Sequence, residues 1–128
     1  MSKEVIALIF MGKKTIESRF SQKRIVPFGA VEIGDKVYLK SPGGDIKGQF
    51  KASKVIYFAG LEKDDWELIR SKYGPQISLG DSEQDEQFFK KHKTAKFATL
   101  IFITAVEQFI TSPIKIEKKD LRGWMVLG

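Results

Sequence analysis

The chain has 128 residues, no cysteine and one histidine, His92. This excludes a disulfide framework, a thiolate metal site, a cysteine nucleophile and a histidine cage, so neither a metal nor a cofactor is expected. The length predicts a single domain over 1–128, and a net charge of +6 from 22 basic and 16 acidic residues favours anionic partners such as RNA or nucleotides.

The first element is the apolar run Val5–Met11. Ser2 can cap it, Glu4 falls in its first turn, and Gly12 suits the left-handed position after a last turn, so a helix over 2–11 is expected. A strand fits the same run nearly as well. The run is far short of the ~20 apolar residues that cross a bilayer. Gly12-Lys13-Lys14 follows it where a secretory signal has a small-residue cleavage site, so a cytoplasmic protein without a membrane partner is expected. Thr15–Phe20 then alternates, with Ile16, Ser18 and Phe20 on one face and Thr15, Glu17 and Arg19 on the other. Pro27-Phe28-Gly29 marks a turn. Strands are expected over 36–40 and from 46 to about 58, joined by the hairpin Ser41-Pro42-Gly43-Gly44-Asp45.

Leu61–Tyr73 reads as a helix stopped by Gly74-Pro75, with Trp66, Ile69 and Tyr73 on one stripe. A second helix starts near Ser82, where Ser82 and Asp85 have capping-box spacing. Phe97–Val106 is continuously apolar and β-branched, which predicts a strand covered on both faces. Short closing strands are expected at 114–116 and 124–127. The order predicts an α+β domain, a small mixed barrel with helices at one side.

Charge is segregated along the chain. Residues 1–30 hold six basic and two acidic residues; 61–86 hold eight acidic against three basic, and Lys90, Lys91, Lys93 and Lys96 follow. The densest chemistry is Gly12-Lys13-Lys14-Thr15-Ile16-Glu17-Ser18-Arg19. A lysine and an arginine converging beside a carboxylate can hold a phosphate, a base edge or a polar nucleoside; a surface ion-pair cluster has the same spacing. A cleft lysine at 14 would contribute little to packing. Lys23, Arg24 and the lysines near 90–96 can steer a phosphate backbone. Ser41 and Gly43 lie in a loop whose amides can approach a phosphate. Tyr38 and Trp124 can stack on a base, and Arg122-Gly123-Trp124 joins a cation to a flat ring. His92 reads as a solvated residue at a helix end.

Gly12-x-Lys14-x-x-Glu17-x-Arg19 resembles the G-x-K-x-x-E-x-R signature of the ASCH domains, a branch of the PUA-like superfamily. Gly34-Asp35-Lys36-Val37 resembles the family's next strand start. The resemblance runs over about residues 2–60, and 61–128 fits it in outline. It implies a PUA-like mixed β-barrel flanked by two to four helices, with a cleft lined by the signature. The implied function is an RNA- or nucleotide-binding module. The alternative it implies is a small hydrolase, either an amidohydrolase of acetylated cytidine nucleosides or a ribonuclease, with Lys14 and Glu17 as the catalytic candidates. In the amidohydrolase branch a threonine stands where this chain has Glu17, and Thr15 is offset by one residue from Lys14. The branch also uses a remote glutamate, for which Glu62, Glu67, Glu83 and Glu86 are all candidates.

Overall fold

The computed structural model describes residues 1–110 and the backbone of the strand at 124–127. The expected strand at 114–116 and the site candidate Arg122 lie outside the described residues.

Helix α1 spans Lys3–Phe10, with the Ser2 side chain accepting from Val5 N at 3.2 Å. Its end is a Schellman motif. Gly12 N donates to Ile9 O (3.1 Å) and Lys13 N to Leu8 O (2.9 Å). Gly12 holds φ +73°, where a side chain would be strained. Lys14 N also reaches Leu8 O, at 3.1 Å. The chain therefore reverses tightly and turns Lys14 inward.

Five strands follow: β1 Ile16–Ser21, β2 Lys36–Lys40, β3 Ile46–Ala59, β4 Phe97–Gln108 and β5 Trp124–Leu127. The sheet order is β1-β4-β3-β2-β5, antiparallel except for the parallel β2–β5 pair. β1 is thus an edge strand. Two irregularities in the β3–β4 register, near Phe50 and Ser53, help to curl the sheet into a half-barrel. The second shifts β3 by one residue, so Phe50 and Ala52 share a face with Val55 rather than with Ile56. At the first, Ala105 takes φ +50°.

The sheet separates two cores. On one face Ile6 and Ile9 of α1 pack on Val37, Leu39, Phe50, Ala52 and Ile101. On the other, Ile16, Ala98 and Leu100 meet Leu61, Ile69, Tyr73 and Ile77. Helices therefore cover both faces, not one side as the element order predicts. The periodicity shows which stripe of a helix is apolar, but not which sheet face receives it. The fold is α+β, with three helical units around the half-barrel.

The expected stop at Gly74-Pro75 is overturned. Helix α2 (Lys63–Leu68) widens into a π turn at Ile69–Tyr73 and continues as α3 (Gly74–Ile77). Pro75 sits in the first turn of α3, where its missing N–H and ring are tolerated. Helix α4 spans Ser82–His92 and is capped by Asp81, which accepts from Gln84 N at 2.8 Å; Ser82 is not the cap. β4 is covered on both faces only over its first half, and 104–108 are exposed.

Candidate functional site: a polar cavity at the sheet edge

Because β1 is an edge, residues from both its faces reach one hollow of about 420 Å³. Lys14, Glu17, Ser18, Arg19 and Phe20 line it along the strand. Met1, Ser2 and Val5 close one side, and Leu79 with Phe88, Lys91 and His92 closes the other. The alternation read from the sequence is real, but the cavity wraps around the strand edge. This is why Ser18 and Phe20 join the charged residues.

Lys14 is 2% exposed, and its Nζ donates to Ile77 O at 2.7 Å. The lysine therefore ties the start of β1 to the end of α3, which corrects the expectation that it carries little structural weight. Burial pushes its ammonium below the ordinary lysine value. The negative charges of Glu17 and then Asp85 act the other way, and Arg19 adds slightly to the depression. The carboxylates that act on Lys14 are thus Glu17 and Asp85. None of Glu62, Glu67, Glu83 or Glu86 is among them. Asp85 accepts from Leu79 N (2.6 Å) and from Ser78 Oγ (2.7 Å), so it braces the loop that forms one wall. Its capping-box spacing from Ser82 hid this role.

Glu17 is 6% exposed, and its Oε1 lies 3.5 Å from Arg19 Nε. That is an ion pair, not a formed hydrogen bond. Glu17 Oε2, Ser18 Oγ and Arg19 Nε are all buried without a hydrogen-bond partner in the protein. Three such atoms on consecutive residues, all lining one cavity, depart from the rule that buried polar groups are paired. His92 is half-buried against Phe20 and Phe88, with ring centroids 5.4 and 4.7 Å away. Burial, then the charge of Lys91, lowers its pKa from 6.5, so the solvated histidine of the sequence reading is corrected.

The other candidates lie elsewhere. Thr15 points away, pinning β1 to α3 through Gln76: its N bonds Gln76 O (3.1 Å), and its Oγ1 meets Gln76 Oε1 (3.3 Å). Lys13 and Lys23 are exposed, outside the cavity lining. Arg24 stacks over Phe28, 5.1 Å from its centroid. Tyr38 is buried within β2, not beside the cavity. Ser41 is buried in the hairpin and accepts from Gly44 N at 3.0 Å, while Gly43 holds the turn at φ +69°. Trp124 is placed only as part of β5. Among the described residues, no group of three His, Cys, Asp or Glu side chains could hold a metal, and no helix is long and apolar enough to cross a membrane.

The half-barrel and the helices around it have the fold of solved ASCH proteins. The ASCH protein of Zymomonas mobilis is similar, with TM-score 0.63 at 15% identity, covering 99% of this chain and 94% of that one. A point mutant of that protein matches with TM-score 0.60 at 18% identity, over 94% and 72% of the two chains. The hypothetical protein PH0355 matches with TM-score 0.57 at 16% identity, over 85% and 94%. At these identities the likeness is one of fold. No family profile and no curated protein matches the sequence.

Proposed function

We propose that residues 1–128 act as one RNA-binding domain of the ASCH type that takes a single unpaired nucleobase, or the matching nucleotide, into the cavity at β1. The observation that carries this reading is the trio of unpartnered buried atoms, Glu17 Oε2, Ser18 Oγ and Arg19 Nε. On one face of β1, Glu17 and Arg19 offer an acceptor and a cationic donor two residues apart, which match the mixed edge of a base with an exocyclic amino group. Such an amino group donates to Glu17, while the neighbouring ring nitrogen or carbonyl accepts from Arg19. Phe20, Phe88 and His92 supply the ring wall that unstacked bases use. The volume lies within the roughly 300–1,000 Å³ of small-ligand pockets. Lys91 at the mouth faces the phosphate, and Lys13, Lys23 and Arg24 steer the backbone of a longer strand.

The test is titration with cytidine and uridine 5′-monophosphates. Uracil places a carbonyl where cytosine carries its amino group, so a carboxylate repels it. Cytidine monophosphate should bind about tenfold to a hundredfold more tightly, the discrimination of one charge-assisted bond, and Glu17→Gln should erase the difference. Equal binding of both nucleotides, or no effect of Glu17→Gln, refutes the reading.

One observation supports the hydrolase alternative. Lys14 is a buried amine with a lowered pKa beside two carboxylates. Release of acetate from an acetylated cytidine, abolished by Lys14→Arg, would establish it.

A further inference from the structure

Helix α4 separates the cavity from a second concavity on its other side. There two hollows of about 480 and 560 Å³ run together, sharing Arg70, Phe89 and Lys93. Trp66 floors the nearer hollow. One face of its indole is stacked on Phe20 (centroids 4.9 Å apart, 26° between planes), and Phe20 lines the first cavity. This pair of stacked rings lies between the two sites. Arg70 lies over the Phe89 ring, 5.2 Å from its centroid. The nearer hollow sets Lys63, Arg70, Lys93 and Lys96 against one carboxylate, Glu62. Among the described residues, no carboxylate lies within ion-pair distance of those four cations. The farther hollow adds Lys90 but also Glu83 and Glu86, so the excess positive charge is concentrated beside Trp66.

The last turn of α4 is the rim common to both sites. Lys91 and His92 face the first, Lys90 and Lys93 the second. We propose that the groove between α2 and α4 is a second nucleotide subsite for the same RNA strand. A neighbouring base stacks on Trp66, Arg70 and Lys93 hold phosphates, and the strand crosses the basic turn of α4. Stacking on an aromatic floor beside free cations is how single strands are held without sequence readout. The proposal rests on the base pocket described above, and the deciding measurements keep the two apart.

The probes are cytidine 5′-monophosphate, a short oligocytidylate, and an acidic glutamate peptide as competitor. The protein carries Trp124→Phe, which leaves Trp66 as its one tryptophan. The perturbation is Arg70→Ala with Lys93→Ala, both exposed positions. Monophosphate binding should be unchanged. Oligomer affinity should fall about tenfold or more on loss of two charge-assisted contacts. The log–log salt slope should become shallower by about 1.4, for two phosphates at ~0.7 each. The oligomer should quench Trp66 in the parent protein and not in the double variant. An oligomer affinity and salt slope unmoved by the double substitution overturn the subsite and leave the pocket standing. Oligomer binding that needs Arg70 and Lys93, without monophosphate binding, overturns the pocket and leaves the groove as the RNA site. Absence of RNA binding overturns both. A glutamate peptide that displaces the oligomer and binds as tightly makes the groove a protein-docking surface and overturns the subsite.

Discussion

Replacing Lys14 by methionine keeps the length of the side chain and removes its charge. The bond from Nζ to Ile77 O disappears, and the carbonyl stays buried beneath the cavity. A hydrogen bond to a charged group contributes about 1.5–3 kcal/mol. Glu17 and Asp85 also lose the favourable influence of the lysine charge, although neither forms an ion pair with it. Two features reduce that figure: Arg19 remains 3.5 Å from Glu17, and methionine escapes the desolvation that depresses the lysine. The expected net loss is about 1–3 kcal/mol at neutral pH. With a urea slope of roughly 1–3 kcal/mol/M, the midpoint should drop by about 1 M. The pH dependence has a definite sign. The folded-state pKa of Lys14 lies below its unfolded value of 10.5, so between the two the unfolded chain binds more protons. Wild-type stability therefore gains a contribution as pH rises through that window, and the Met variant lacks it. A variant as stable as the wild type at neutral pH, or one with the same alkaline profile, would refute the assignment of Lys14 as a buried tie.

Three further outcomes follow from the geometry. Gly48→Ala should destabilise by about 1–3 kcal/mol or more in thermal unfolding, because a Cβ there would lie 2.3 Å from Glu107 O and 2.7 Å from the Phe10 ring. Ala105→Gly should stabilise by up to about 1 kcal/mol, since φ +50° strains alanine at an exposed bulge; urea midpoints decide it. His92 has a folded-state pKa below 6.5, so the unfolded chain binds more protons in the window just under that value and stability declines as pH falls through it. His92→Gln should flatten this part of the profile in parallel denaturation curves at mildly acidic and neutral pH.

The features legible in the sequence were those with local causes. Ser2 and Gly12 mark both ends of α1 because capping and a left-handed φ are properties of single residues and their near neighbours. The alternation in 15–20 gives the faces of β1 for the same reason. What escaped depends on distant chain. Asp85 is three residues after Ser82, so its spacing points to a cap, but the loop at 78–79 offers it a hydroxyl and an amide that no local rule anticipates. Lys14 reads as a cation of little structural weight because nothing near it in sequence reveals that Ile77 O waits across the sheet edge. The bulge at Ser53 has no Gly or Pro to announce it, and it moves Ile56 to the opposite face from Phe50. Pro75 looks like a terminator because proline ends a regular helix, whereas the π turn before it starts a new helical turn where proline fits.

The ties around β1 bear on how fast a ligand can come and go. Lys14 joins β1 to α3, Thr15 and Gln76 join them again, and Asp85 fastens α4 to the loop at 78–79. The β1 wall and the wall formed by the 78–79 loop and α4 are thus secured before anything enters. Among the described residues these walls are joined in advance, so the proposed encounter with a small ligand should be a single step. Stopped-flow traces should be single exponentials whose rate rises linearly with ligand concentration, without the plateau that a preceding or following rearrangement imposes.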